Sequence, residues 1–313
     1  MIISALIMLF TLISVTLSVT RNNTMKIIDL ILFNGEPMAM HRFFYLKDVV
    51  DYFIVIESNI TLSGKIKSFY YLDYYYNLLK PLIISKKMIP HKITIPNSVY
   101  TETHITLDKA VKPTKFDRNY NKSSWKRERY LRNLGRDVSL GMMGSTPFIL
   151  LVNDADELPK RSIVRSLAGR YASLHVPLHL EMSLFYYSFL WRKREVWSKP
   201  YAVNDIFLKS SENTLEGGRR YGKTVPEAGW HCSYCMNASD IVAKIRSFAH
   251  TELDTPEIAD EIWTARCRRE GLDLFHREQK QFQLTKYDGK QGYPFCRRCI
   301  DLPGYSVLEL PTK

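Results

Sequence analysis

The chain of 313 residues contains no internal repeat and no low-complexity tract, so neither a solenoid nor an unstructured polar segment accounts for it. Cysteine is scarce, at five residues: Cys232, Cys235, Cys267, Cys296 and Cys299. Two Cys-x-x-Cys pairs admit a zinc site, but 60 residues lie between them, against roughly 12–20 in compact zinc modules. One or two disulfides, or buried thiols, suit the same residues, and an odd count leaves one thiol unpaired within a monomer. Charge is missing from residues 1–20. That apolar stretch just reaches the roughly 20 residues that a membrane-spanning helix needs. It reads as a signal anchor or a cleaved signal peptide, although no basic segment precedes it and Arg21 and Lys26 follow it. Translation from Met25 would leave the chain cytoplasmic.

What is present is globular in character. Apolar residues make up 45% of the chain and charged residues 24%, and the length suffices for a substantial core. A net charge of +12 suits an anionic partner such as a nucleic acid, a membrane surface or a phosphorylated small molecule. The densest basic cluster, Lys126-Arg127-Glu128-Arg129-Tyr130-Leu131-Arg132, reads as a solvated helix face. The sequons at Asn22, Asn59, Asn121 and Asn237 agree with a secretory lumen.

Early in the chain, strand and helix alternate. Residues 27–33 are apolar apart from Asp29, as a strand buried on both faces should be. Pro37 opens a helix over residues 38–47, and residues 52–56 form a second apolar strand that ends at Glu57-Ser58. This βαβ spacing predicts a parallel sheet covered by helices. Short apolar runs follow at 82–84 and 93–95, then a helix capped by Ser123 or Ser124 and reaching about Leu140. The strongest strand, residues 148–152, runs directly into Asn153-Asp154-Ala155-Asp156-Glu157, with Pro159 expected to start another helix. Residues 175–182 and 184–191 read as neighbouring aromatic strands. Ser239 is expected to cap a helix that buries Ile241, Ile245 and Phe248. Thr255-Pro256-Glu257 begins a helix with Ile258, Ile262 and Ala265 inward, and Gly271 ends it.

Two segments carry chemistry. Asp154 and Asp156 follow the C-terminal end of a buried strand, the edge at which open α/β sheets bind ligands. Carboxylates at that spacing can share one Mg²⁺ or Mn²⁺, whose open positions accept phosphate oxygens; a solvated acidic turn capping the next helix is the plainer reading. In Gly229-Trp230-His231-Cys232-Ser233-Tyr234-Cys235, Trp230 and Tyr234 offer a sugar-stacking wall and His231 a further ligand, with His250 competing for that place. A hydrogen-bonded core histidine is the plain alternative.

These blocks resemble glycosyltransferase family 17, the β-1,4-mannosyl-glycoprotein 4-β-N-acetylglucosaminyltransferases. The resemblance rests on Leu32-Phe33-Asn34-Gly35-Glu36, on residues 49–58 with Thr61, Gly64 and Lys65, on Asn153-Asp154-Ala155-Asp156-Glu157-Leu158-Pro159, and on the segment 229–235 with Lys244 behind it. It implies a GT-A type nucleotide-diphospho-sugar transferase fold in one catalytic domain over residues 25–313, preceded by the apolar segment 1–24. It also implies inversion at the anomeric carbon, UDP-N-acetylglucosamine as donor, a mannose-containing glycan or glycoprotein as acceptor, and Mn²⁺ (or Mg²⁺) as cofactor. A membrane-anchored protein of the Golgi, with its catalytic domain in the lumen, completes that expectation. On this pattern Asp154 and Asp156 form the metal–diphosphate motif, and Glu57 and its neighbours lie near the nucleotide; His231 is expected to complete the metal shell, and Arg132 and Trp230 to meet the donor. Asp205 is expected to be the general base, ahead of Glu157 and Glu252. A non-catalytic carbohydrate-binding protein, or a transferase of the same fold with another donor sugar, is the alternative; no recognised basic-aromatic module favours nucleic acid.

Overall fold

The computed structural model describes residues 25–96, 123–211, 213–277 and 283–286. Strands β1 (Lys26–Leu32), β2 (Tyr52–Ser58), β3 (Met88–Ile93) and β4 (Phe148–Val152) are parallel and lie in the order β4-β1-β2-β3. Helix α1 (Pro37–Leu46), which begins at its proline, joins β1 to β2. Both faces of β1, β2 and β4 are covered, which is why the middles of these strands are apolar apart from Asp29. Ile27, Ile31, Phe53, Val55, Ile149 and Leu151 pack with α1 on one side. Ile28, Leu30, Ile54, Ile56, Leu150 and Val152 pack on the other, against Leu131.

The apolar run 82–84 is not a strand. It ends a helix, with α2 (Tyr71–Tyr74) and α3 (Tyr76–Ile84) preceding β3. Helix α4 (Ser123–Met143) outlasts its expected end near Leu140. Its basic cluster is not a solvated face either, because Arg127, Arg129 and Arg132 are buried. Gly135 allows α4 to approach the sheet: a Cβ there would lie 2.4 Å from Leu30.

Beyond β4 the sheet turns antiparallel. Strands β6 (Leu178–Tyr186), β7 (Trp191–Trp197), β8 (Tyr201–Asn204) and β10 (Leu284–Lys286) extend it in the order β10-β7-β6-β8-β4. The two aromatic strands are therefore shifted from their expected bounds, β6 continuing through Leu184 and β7 starting at Trp191. Pro159 does not open a helix. It ends β5 (Glu157–Pro159), which pairs antiparallel with β9 (Lys223–Ser233), and β9 runs parallel to β6. Helix α5 (Arg161–Ser166) starts two residues later. Gly229 is required at this crossing, since a Cβ would come within 2.2 Å of the Leu158 carbonyl oxygen.

Three helices complete the described chain. A short α6 (Asp205–Lys209) follows β8. Helix α7 (Ala238–Ser247) buries Ile241 and Ile245 as expected, but its cap is Asn237, whose side chain accepts from the Asp240 N–H. Helix α8 (Glu261–Glu270) is capped by Asp260, later than expected, and ends at Gly271 in the left-handed conformation, φ 67°. Trp263, Thr264 and Cys267 face inward from α8 rather than Ile262, which is 83% exposed. The result is a mixed α/β architecture, a large mixed sheet flanked by helices. Among the described residues no helix is long and apolar enough to cross a membrane; residues 1–24, with their proposed anchor and the Asn22 sequon, lie outside them, as does Asn121.

Candidate active site

The C-terminal edge of β4 opens into a cavity of 270 Å³ whose wall includes Asn34, Ser58, Glu128, Arg132, Asp154, Asp156, Trp197, Arg219, His231, Tyr234, Lys244 and His250. Eight separate regions of the chain contribute these residues, and the acidic turn after β4 is their common point. The turn is held from below. Arg42 forms a fully buried pair with Asp29, its Nη2 lying 2.7 Å from Oδ1. With the Asn153 amide oriented to satisfy its neighbours, Arg42 Nη2 also donates to its oxygen at 2.6 Å while its nitrogen donates to the Val152 carbonyl at 3.1 Å. Glu157, fully buried, closes the turn by accepting from the Asp154 N–H at 2.6 Å.

Each aspartate is met by cations. Oδ1 of Asp154 accepts from Arg132 Nη2 at 2.5 Å and from Arg219 Nη2 at 3.1 Å. Oδ2 of Asp156 accepts from Lys244 Nζ at 3.0 Å, and His231 Nε2 lies 3.5 Å from its Oδ1. Burial pushes the Asp154 carboxyl up, but Arg219 and Arg132 outweigh it and hold it well below the ordinary carboxylate range. Burial acts in the same sense on Asp156 and is overcome by Lys244 and His231. For Glu157 burial wins, aided by Asp154, and its pKa is raised. His231 moves up because Asp156 outweighs the desolvation that would lower it. These shifts are what opposite charges within about 4–6 Å produce in a site poor in water.

Asp154 and Asp156 are the residues that could offer oxygen donors to a divalent cation here. Asp154 and Asp156 line one cavity, the Asp154 side chain is 37% exposed, and no donor among the described residues reaches its Oδ2. Mg²⁺-type sites commonly use one or two carboxylates and complete their shell with phosphate oxygens and water. His231 does not complete a set of three. Its Nε2 faces Asp156 and the Ser233 hydroxyl, the latter at 3.0 Å, and among the described residues no group of three His, Cys, Asp or Glu side chains is arranged to hold a metal. The imidazole is thus a partner of Asp156.

Of the residues assigned to donor and base, Arg132 lines the cavity, and Glu57, Trp230 and Asp205 do not. Glu57 is fully buried and anchors the chain, accepting from Lys67 Nζ at 2.9 Å and from the Tyr71 and Leu72 N–H groups, each at 2.8 Å. Its neighbours Ile56 and Ser58 line the cavity in its place. Trp230 points into the core with Leu158 and carries Lys160 over its ring at 5.6 Å, because successive side chains of a strand alternate and His231 takes the cavity side. Trp197 supplies the aromatic wall, its ring 4.7 Å from that of His231, while its indole N–H donates to Glu157. Asp205 lies at the opposite end of β4. Its carboxylate accepts from the Phe148 N–H at 3.5 Å and from Tyr171 and Lys209; at roughly 3.3 Å per residue it is about 15–20 Å from Asp154. It cannot act as base at this cavity. Glu157 is committed to Asp154 and Trp197, and Glu252 to the Nδ1 of His250 at 2.8 Å.

Trp197 and Arg219 carry no signal in the sequence. One ends a charged edge-like strand and the other sits in a Gly-Gly-Arg-Arg turn. Tyr234 is brought to the wall by the turn between Cys232 and Cys235, where its φ is 57°. These two cysteines form a disulfide, so they are not zinc ligands together with Cys296 and Cys299, which lie outside the described residues. Cys267 is a buried free thiol.

A family model described as glycosyltransferase family 17 matches residues 14–305. The chain belongs to glycosyltransferase family 17. Relatives include the proteins named beta-1,4-mannosyl-glycoprotein 4-beta-N-acetylglucosaminyltransferase from Rattus norvegicus and Homo sapiens, each 25% identical over 257 residues. The alignments cover 73% of this chain and 44% of each relative, so the chain spans less than half the length of the curated relatives it matches. The cavity described above is the place where all four of the matching sequence blocks meet, through Asn34, Ser58, Asp154 and His231 among others.

Proposed function

We propose that the chain is an inverting glycosyltransferase of the GT-A type. It would transfer N-acetylglucosamine from UDP-N-acetylglucosamine to a mannose-containing glycan of a glycoprotein, in β-1,4 linkage. The observation that carries this reading is the convergence of Arg132, Arg219 and Lys244 on Asp154 and Asp156 at the sheet edge, together with the family match. Transfer from a nucleotide sugar leaves a diphosphate, and its oxygens need positive charge as the sugar departs. Asp154 and Asp156 would hold Mn²⁺ or Mg²⁺, which when bound supplies Lewis-acid neutralisation of the diphosphate. Arg219 and Lys244 are placed to add side-chain charge to that task, and Arg132 holds Asp154 in position from α4. Trp197 offers an apolar face of the kind that packs against a sugar or base ring.

The Cys232–Cys235 disulfide supports an oxidising compartment, in agreement with a secretory, Golgi-type location and a membrane anchor in residues 1–24. Purified full-length chain should release UDP from UDP-N-acetylglucosamine when a mannose-containing acceptor is supplied, and EDTA should abolish the release. Equal turnover with EDTA would remove the metal from the reading; transfer from a different UDP-sugar would change the donor.

A further inference from the structure

We propose that His250, oriented by Glu252, is the general base that deprotonates the acceptor hydroxyl. This rests on the transferase reading above and names a residue for it. Direct displacement at the sugar carbon requires an acceptor for the hydroxyl proton, and Asp205 is at the wrong end of β4 to provide it.

The acid–base groups on the cavity wall are nearly all committed. Asp154 carries two guanidinium groups and Asp156 carries Lys244 and His231. Glu128 accepts from Arg132 through both Nε and Nη2, at 3.0 and 2.8 Å. Glu36 turns back to accept from the Asn34 N–H at 3.0 Å. His231 is occupied at Nε2 by Asp156 and Ser233.

His250 differs. It lines the same cavity, its side chain is 48% exposed, and its Nδ1 lies 2.8 Å from Glu252 Oε1. No donor or acceptor among the described residues reaches its Nε2. A carboxylate on Nδ1 fixes that nitrogen as the N–H and leaves Nε2 with the lone pair, while stabilising the imidazolium that forms on proton transfer. The ring is held edge-on by Trp125, with centroids 4.8 Å apart, and Phe248 packs at 5.5 Å. Both belong to the cavity wall, so the imidazole is aimed by its surroundings.

The step balances without a further reactant. The acceptor hydroxyl proton passes to Nε2 of His250, and the oxygen lone pair forms the new bond to the anomeric carbon. The bond from that carbon to the diphosphate oxygen breaks, and its electron pair leaves with the nucleoside diphosphate. Glu252 is a positioning residue, because it acts through the ring.

The test compares wild-type chain with His250→Ala, His250→Gln, Glu252→Gln and Glu36→Gln, measuring transfer rate, KM for donor and acceptor, and UDP affinity by calorimetry. Both His250 variants should lose at least about 100-fold in kcat, the size of a general-base contribution, while binding UDP within about twofold of wild type. Imidazole added to His250→Ala should restore part of the rate, and Glu252→Gln should lower kcat without moving either KM. Transfer by His250→Ala within about threefold of wild type overturns the assignment, as does a loss of UDP binding that parallels the loss of rate, or a larger loss in Glu36→Gln than in His250→Ala. If wild type binds UDP yet transfers no sugar from any UDP-sugar, the transferase reading itself falls, and the base with it.

Discussion

The ammonium of Lys244 lies 3.0 Å from Oδ2 of Asp156, joining residues 88 positions apart. Both side chains are largely withdrawn from water, 19% and 7% exposed. Burial alone would lower the lysine pKa, but Asp156 raises it above the ordinary value. The pair ties α7 to the acidic turn and leaves a positive charge at the cavity wall. Removing one member strands the other, so Lys244→Met should cost about 3 kcal/mol in urea unfolding. A cost below about 1 kcal/mol would mean that Asp156 finds another partner.

Asp154→Asn tests the metal and the arginines together. It should lower transfer by about 100-fold or more, since an oxygen ligand and the counter-charge of Arg132 and Arg219 are lost together. Circular dichroism should be unchanged, and Mn²⁺ affinity read by electron paramagnetic resonance should weaken. Unaltered Mn²⁺ binding would assign the metal elsewhere.

The two tryptophans separate wall from core. Trp197→Ala should weaken UDP-sugar binding about 3- to 10-fold, in line with roughly 1 kcal/mol for a ring contact. Trp230→Phe should leave donor affinity as it was and lower stability alone, because its ring packs in the core with Leu158. Equal effects of both on donor affinity would refute the alternation along β9 on which the difference depends.

Asp205 should matter for folding and not for transfer. Burial raises its pKa, but hydrogen bonds from Lys209 and Tyr171 outweigh this and hold it below the ordinary carboxylate value. A carboxylate depressed in the folded state contributes stability above its unfolded pKa and loses it as pH falls through the folded value. Asp205→Asn should therefore cost about 1–3 kcal/mol at pH 7, with a smaller cost when unfolding is repeated in increasingly acid buffer below about pH 4. Its kcat should match wild type. A hundredfold loss of kcat with normal stability would restore it as the base.

Gly229→Ala forces a methyl group against the Leu158 carbonyl. The expected loss is about 3 kcal/mol, with transfer activity falling as β9 pulls His231 from Asp156. An unaffected melting temperature would show that β5 and β9 can part at little cost.

The parallel half of the sheet could be read from sequence because its signal is local. Strands covered on both faces are apolar, as residues 148–152 are throughout and residues 27–33 are apart from Asp29, and a proline can open the helix that follows the first of them. The acidic turn was legible for the same reason, since a carboxylate pair after such a strand has one sheet edge to occupy. The antiparallel half was harder. Strand β6 is buried along most of its length and β7 is largely exposed, so neither alternates and their bounds slipped, and the three residues of β5 look like a helix start until β9 is seen beside them.

What sequence alone determined was a mixed α/β fold, the location of the acids and the family. Tertiary structure decided which side chains share their cavity. Alternation along β9 sends His231 inward and Trp230 into the core, and the antiparallel pairing of β8 with β4 carries Asp205 to the far end of the sheet. Arg219 and Lys244 meet Asp154 and Asp156, and Trp197 and His250 line the same cavity, only because a crossing of strands and a helix from 88 residues away bring them together. A linear chain records the order of such groups, and the distance between them arises from packing.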